Sequence, residues 1–495
     1  MAVVTSETHR LLLPLPNGQE SSSTSSGPTS SHRFKEEEEE ESVPVLRRHL
    51  TLLDGISVLL GIIIGSGIFA SPGVVLQHTG SVGLGCIAWL AAAFMALCSA
   101  LVHAELGAAM PQAGGNAYYF KVAFGDAFSF AFIWTMFFVL VNGSLAIVAI
   151  SSARYFLIGI TGANITEIDL DSDPWSKAIA IACVVGLTIC NCFGVVVSNR
   201  LQNMISLIKV VLVLLLAVAA GTFLWGSIDV LQTNLHQPFA GSTPFGFGLG
   251  TVAALWAFAG GGDIVYLAEE MKNPAKDIPH STIGGISLVA VIYLIINFIY
   301  LCILPAADVK LSSVIAIDAT KTALGPWAGL TTALLVAVSL LGTANAIILY
   351  GARYLYAAAR DGQVPQMLTC LKLLGQQNGA PYVALLAQGA ICVLLLLQSS
   401  AFIELLSYFG IASFLFQALT GAALIRLRHS LPDLHRPYSV TFYPLVPLIM
   451  ICFSLYLVGS TFVSNPLLSS LVLVFTAVSF PVYFLFVCPP QLYML

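Results

Sequence analysis

Gly61-Ile62-Ile63-Ile64-Gly65-Ser66-Gly67-Ile68-Phe69 and, far downstream, Trp256-Ala257-Phe258-Ala259-Gly260-Gly261-Gly262-Asp263 are the two stretches on which the fold turns. Each sits inside an apolar run of membrane-crossing length, and each is poor helix, because glycine costs about 1 kcal/mol relative to alanine in a helix interior. Hydrocarbon offers no hydrogen bonds. A span therefore breaks only where its freed backbone groups are buried in protein or line a cavity. The alternative for the first stretch is close helix packing through the small face of Gly61, Gly65 and Gly67. That alternative leaves the three consecutive glycines beside a carboxylate in the second stretch without an explanation.

Around these stretches the chain is built for a bilayer. Its 495 residues are 57% hydrophobic and 9% charged, whereas soluble domains carry about a quarter charged residues. A helix needs roughly 20 apolar residues to cross about 30 Å of hydrocarbon. Twelve such runs start near Leu50, Val82, Phe124, Ala178, Leu201, Phe245, Ile283, Trp327, Tyr382, Phe402, Tyr443 and Pro466. The expected fold is an all-α membrane protein of twelve transmembrane helices over residues 47–487. A disordered cytoplasmic tail rich in Ser, Glu and Pro precedes it (1–46), with no apolar stretch long enough for a signal peptide, and a short tail follows (488–495). The interrupted runs are the first and the sixth. Five is odd, so a repeat of spans one to five in spans six to ten is inverted in the membrane, and paired interrupted spans point to a transporter's binding site. Spans eleven and twelve are then additions.

Charge and motifs narrow the function. The net charge is -5 and the run Glu36 to Glu41 supplies six acids, so there is no basic surface for nucleic acid. The ten cysteines fall in apolar stretches without paired spacing and read as small core residues rather than disulfides or metal ligands. No Walker motif, nucleophile elbow or metal-spaced histidine pair is present, which argues against an enzyme and implies no cofactor. An even number of spans puts both termini on one side. A cytoplasmic tail places Arg47, Arg48, Lys121, Arg200, Lys272, Lys276, Arg360, Lys372, Arg426, Arg428 and Arg436 inside, against Lys177, Lys310 and Lys321 outside, as the positive-inside rule requires. The segment between Gly159 and Trp175 is then external and carries an N-glycosylation sequon at Asn164.

The breaks suit a small zwitterion. The half-helix starting near Ser66 and Gly67 points free N–H groups and its positive dipole end at a carboxylate, while carbonyls freed at Ile62, Ile63 and Phe258 to Gly260 are open to an ammonium. Glycine, Gly65 among them, permits both the unwinding and the close approach. Trp256 stands one turn before the Gly260 break, as a gate over the ligand or as a packed or lipid-facing tryptophan. Lys209 lies in an apolar run too deep to snorkel easily, and is a candidate for a cation site between spans one, five and eight or for a wet cavity wall. Asp263 is the other deep charge, available to a cationic side chain or an ion-pair partner. Glu269, Glu270 and Lys272 read as a cytoplasmic gate or loop, and Asp54 and Glu105 as interfacial.

Leu53-Asp54-Gly55-Ile56-Ser57 through Phe69, Ala104-Glu105-Leu106-Gly107, Gly114-Gly115, Asn191-Cys192, Glu269-Glu270-Met271-Lys272-Asn273-Pro274, Gly362-x-x-Pro365 and Leu427-Arg428-His429 resemble the L-type amino-acid transporters. These are light chains of the heterodimeric transporters, within the amino-acid, polyamine and organocation superfamily. The resemblance implies a LeuT-like 5+5 inverted repeat with discontinuous helices 1 and 6. It implies substrate contacts at Ile63, Ser66, Gly67, Trp256, Ala259 and Gly260, with Trp256 as the aromatic gate. It puts Lys209 where sodium-coupled relatives bind sodium, implying sodium-independent exchange or facilitated transport. Three departures matter. No cysteine lies between Gly159 and Lys177, which argues against a disulfide-linked heavy chain. Gly262 replaces a side chain of neutral-selective members, with Asp263 added beside it. The Ser/Glu tail belongs to no family motif.

The expected ligand is an amino acid, large or apolar and neutral. The rivals are a proton-coupled cationic amino-acid or polyamine carrier using Asp263, and a non-transporting amino-acid sensor. Plasma membrane is the expected location, with lysosome or vacuole as the alternative if Glu7-Thr8-His9-Arg10-Leu11-Leu12 acts as a dileucine signal.

Overall fold

The computed structural model describes residues 51–487 apart from 66, 113, 163–172, 194, 227–228, 244, 263, 266–267, 269–270, 313, 361, 363–381 and 399–401. Ser66, Asp263, Asn164, Glu269, Glu270 and the tail signal therefore lie outside the described residues.

The described chain is helical, without strands. Helix starts follow local chemistry. Thr51 and Asp54 form a reciprocal capping box ahead of α1 (Leu52–Ile63), which satisfies two amide groups the helix itself cannot. After a break comes α2 (Gly67–Thr79), and Ser81 caps α3 (Val82–Ala109). Gly125, at φ 102°, separates α4 (Asn116–Phe124) from α5 (Asp126–Thr135), a conformation glycine reaches without a Cβ clash. One π-helical stretch, Met136–Val141, joins α5 to α6 (Asn142–Thr161). Asp173 caps α7 (Pro174–Cys192), with its proline in the first turn, where a missing N–H costs nothing. Then come α8 (Val195–Gly226), α9 (Asp229–His236), α10 (Gly246–Trp256), α11 (Pro274–Ile303), α12 (Ala306–Leu311), α13 (Ile315–Leu324), α14 (Pro326–Arg360), α15 (Tyr382–Gln398), α16 (Phe402–Ser430), α17 (Leu445–Ser464) and α18 (Pro466–Val482).

Nine helical segments among the described residues are long and apolar enough to cross a membrane, and ten if α1 and α2, bent by 49°, count as one broken span. Two shorter apolar helices, α10 and Val383–Gln398 of α15, occupy the expected sixth and ninth places. The sixth is short because α10 stops at Trp256, just ahead of the glycines. One start differs clearly: α11 begins at Pro274, not near Ile283, since Asn273-Pro274 opens a helix before the chain becomes apolar. Short α9, α12 and α13 lie between the spans and carry no apolar run to announce them.

The packing puts the breaks at the centre. The pairs α10 with α2, α11 with α1 and α3, and α14 with α6, α8 and α1 are in contact, and α16 joins α4, α6 and α17. The outside is apolar as well. On α11, Leu288, Val291, Ile295 and Phe298 are exposed while Val289, Tyr293, Ile296 and Tyr300 are buried, so both faces are apolar and the one solvent that suits the outer face is lipid.

Candidate functional site

α1 ends at Ile63 and α2 begins at Gly67, leaving the orphan carbonyls of one helix and the orphan N–H groups of the next at the same level. The carbonyl end is already occupied. Lys209 of α8 places Nζ 2.5 Å from Gly61 O and 3.2 Å from Thr343 Oγ1 of α14, with the side chain buried. Tyr293 of α11 donates its hydroxyl to Ile63 O at 2.8 Å. The Ile63 carbonyl, expected to be open to a ligand, is thus partly spent on Tyr293. An ammonium beside the negative end of α1 offsets its dipole, and no such group among the described residues opposes the positive start of α2.

Two glycines set how closely the elements meet. A Cβ on Gly65 would lie 2.7 Å from Thr343 Oγ1, and one on Gly67 would lie 2.2 Å from Ala257 Cα, at the end of α10. The start of α2 therefore rests directly on backbone. Beyond Trp256 the helix tightens into turns: Phe258 N bonds Leu255 O at 2.9 Å and Ala259 N bonds Trp256 O at 3.1 Å. Gly260 follows at φ 90°, a region that costs other residues roughly 1–2 kcal/mol.

These breaks line one cavity of about 200 Å³, against the roughly 10–15 Å³ a single water needs. Ile62, Ile63, Gly65, Gly67, Trp256, Phe258, Ala259, Gly260 and Gly262 all line it. Of the expected substrate contacts, Ser66 and Asp263 alone lie outside the described residues. Trp256 is buried and meets the Phe409 ring edge-on at 4.7 Å, so it is packed in the cavity wall and does not face lipid. Among the described lining residues none is acidic. Met136 and Leu140, from the π-helical stretch, also reach the wall, in keeping with the frequent placement of such bulges at functional sites.

Glu105 is 1% exposed, bonded by Arg428 Nε at 2.7 Å and Nη2 at 2.5 Å and by Val440 N at 2.7 Å, with Arg436 Nε at 3.6 Å. The sequence does not tell which face of α3 it occupies. Asp54, in the exposed capping box, fits an interfacial position.

Sequence reasoning missed Tyr293, Thr343, His103, Asn116, Phe409 and Gln417, of which all but Tyr293 line the cavity. His103 carried a usable signal, a titratable group inside an apolar span. The others are ordinary residues whose role depends on partners from distant helices.

Comparison with known proteins accords with this geometry. Residues 50–487 match the amino acid permease family. The chain is 31% identical over 447 residues to the mouse b(0,+)-type amino acid transporter 1, covering 89% of this chain and 88% of that one. It is 29% identical to the human cystine/glutamate transporter, over 89% and 86% of the two chains. Identity to the human large neutral amino acids transporter small subunit 2 is 28%, over 89% and 80%. These relatives bear out the resemblance to the L-type amino-acid transporters read from the motifs. The chain belongs to the amino acid permease family and is a multi-pass membrane transporter, not an enzyme.

Proposed function

We propose that the chain is a sodium-independent secondary carrier of neutral L-amino acids, large or apolar, working by exchange or facilitated transport through twelve spans arranged as a 5+5 inverted repeat, with both termini in the cytoplasm of a plasma-membrane protein. The observation that carries this reading is the convergence of two interrupted helices on one cavity, with backbone at both breaks. The start of α2 suits the carboxylate, and the end of α10 suits the ammonium. Lys209 holds the carbonyl end of α1 through Gly61 and Thr343, filling with a fixed cation the place where a sodium ion would otherwise be needed. No cysteine between Gly159 and Lys177 is available for a disulfide to a heavy chain, and the chain is read as working without one.

The test is uptake of labelled leucine, and separately arginine, into liposomes containing the purified chain alone, with sodium replaced and with or without internal amino acid. Leucine uptake that needs no sodium and accelerates with internal amino acid is the expected result. Arginine uptake abolished by Asp263→Asn would replace this reading with the cationic one, and saturable binding without uptake would replace it with a sensor or with a carrier that needs a partner.

A further inference from the structure

Two neighbouring helices carry their lipid-facing sides down to cations. On α8, Met204, Leu207, Val211 and Leu214 are exposed, and the exposed Arg200, four residues before Met204, continues that line, since positions three and four apart share a helix side. On α11, which α8 contacts, the exposed line through Val291 and Leu288 continues to Gly284, His280 and Lys276, and Lys272 is exposed just ahead of the helix. A Cβ on Gly284 would meet nothing within 4 Å, so the line is open there. Counting back about 20 residues, the length that crosses the hydrocarbon, from the end of α11 at Ile303 puts its boundary near Gly284. At roughly 1.5 Å per residue, His280 and Lys276 then stand about 6 and about 12 Å beyond that boundary. The headgroup layer is about 5–7 Å deep and a Debye length is about 8–10 Å, so both positions act on it.

Protein acids do not balance these cations. Arg200, Lys272 and Lys276 have no ion-pair partner among the described residues, where the pairs are Lys121 with Asp126 and the two arginines with Glu105. Asp277, in the first turn of α11, accepts from Asn273 N at 3.2 Å. Asp54, at the start of α1, accepts from Thr51 N at 2.9 Å and Thr51 Oγ1 at 2.6 Å. Glu269 and Glu270 lie outside the described residues. Unpaired positive charge at the foot of a lipid-exposed surface is complementary to an anionic headgroup. The inner side of the same stretch carries α1, the first half of the broken span. A Cβ on Gly55 would lie 2.9 Å from Met271 Cε and 3.0 Å from Ser281 Cβ, so the start of α1 rests directly on it.

We propose that Arg200, Lys272 and Lys276 form a binding surface for the headgroup of an anionic phospholipid, whose acyl chains lie along the exposed faces of α8 and α11. The bound lipid braces the stretch on which α1 rests, so uptake is faster in bilayers that contain it. Each such cation contributes about fivefold in affinity for the anionic lipid.

The experiment follows the thermal midpoint of the purified full chain in neutral detergent during separate titrations with phosphatidylglycerol, phosphatidylcholine and inorganic phosphate. Phosphatidylglycerol should raise the midpoint, the other two should not, and high salt should abolish the rise. In Lys272→Gln/Lys276→Gln the half-saturating phosphatidylglycerol concentration should increase at least about tenfold. Lys310→Gln/Lys321→Gln, which removes the same charge from α12 and α13, should leave it unchanged. Leucine uptake into phosphatidylcholine liposomes should accelerate on adding phosphatidylglycerol in that control pair and not in Lys272→Gln/Lys276→Gln. An equal rise with phosphatidylcholine or with inorganic phosphate, or an equal shift in both double variants, overturns the surface. A rise in midpoint without faster uptake overturns the bracing of α1. The midpoint does not depend on which solute is moved, so failure of the carrier reading would leave this surface to be judged by the titrations alone.

Discussion

Gly67→Ala tests whether the broken first span works through direct backbone contact. The added Cβ would lie 2.2 Å from Ala257 Cα, 2.6 Å from its Cβ and 2.9 Å from its N. Carbon atoms pack at about 3.5–4.0 Å, so the start of α2 and the end of α10 must part by more than about 1 Å. Neither side yields easily, because the obstacle is main chain and not the tip of a flexible side chain. Overpacking of this kind costs about 1–3 kcal/mol, a shift of a few degrees in thermal unfolding for a chain of this size. Transport should suffer more, since displacing positioning groups by about 1 Å can cost on the order of 10²-fold in rate. The assay is initial-rate amino-acid uptake in proteoliposomes, normalised to folded protein and read beside thermal unfolding in detergent. Gly143→Ala is the control, since a Cβ there meets nothing within 4 Å. Uptake by Gly67→Ala within about twofold of the control would refute the reasoning, for the α2–α10 contact would then not set the site.

Lys209→Met leaves Gly61 O and Thr343 Oγ1 without their donor, and since hydrogen bonds to charged groups contribute about 1.5–3 kcal/mol, uptake should fall at least about tenfold in a flux assay. Wild-type flux in this variant would show the ammonium to be dispensable. Glu105→Gln removes the anion between Arg428 and Arg436 and should destabilise the fold by on the order of 3 kcal/mol, lowering the thermal midpoint. Arg436 lies 3.6 Å from Glu105 and also donates to the carbonyls of Leu427, Leu431, Pro432 and Leu434, so Arg436→Gln should lower the thermal midpoint as well, and an unchanged midpoint would contradict the geometry.

Much of this site is legible in the sequence because its signals are violations of a local rule. Glycines inside an apolar run cannot be excused by solvent, so Gly65, Gly67 and Gly260 mark the breaks by residue type alone, and a lysine amid Ile and Val marks position 209. The span pattern is legible for the same reason, since apolar length is a direct response to bilayer thickness. Pairing is what escapes. Tyr293 caps Ile63 from 230 residues away, and nothing in an apolar helix says which tyrosine will turn inward. Glu105 reads as a residue near a membrane edge, yet Arg428, 323 residues on, covers it. Asn116 follows Gly114-Gly115 with no signal of its own, although it lines the cavity.

The side chains that hold the end of α1 also decide when the ordering cost of the site is met. Lys209 draws on Gly61 O from α8, and Tyr293 draws on Ile63 O from α11. Winding α1 and α2 into one continuous helix would require both bonds to be surrendered. The gap is therefore maintained by folding and not opened by the arriving solute. At the proposed site a ligand meets peptide groups already turned toward it, and the affinity it gains is not diminished by the work of unwinding a helix.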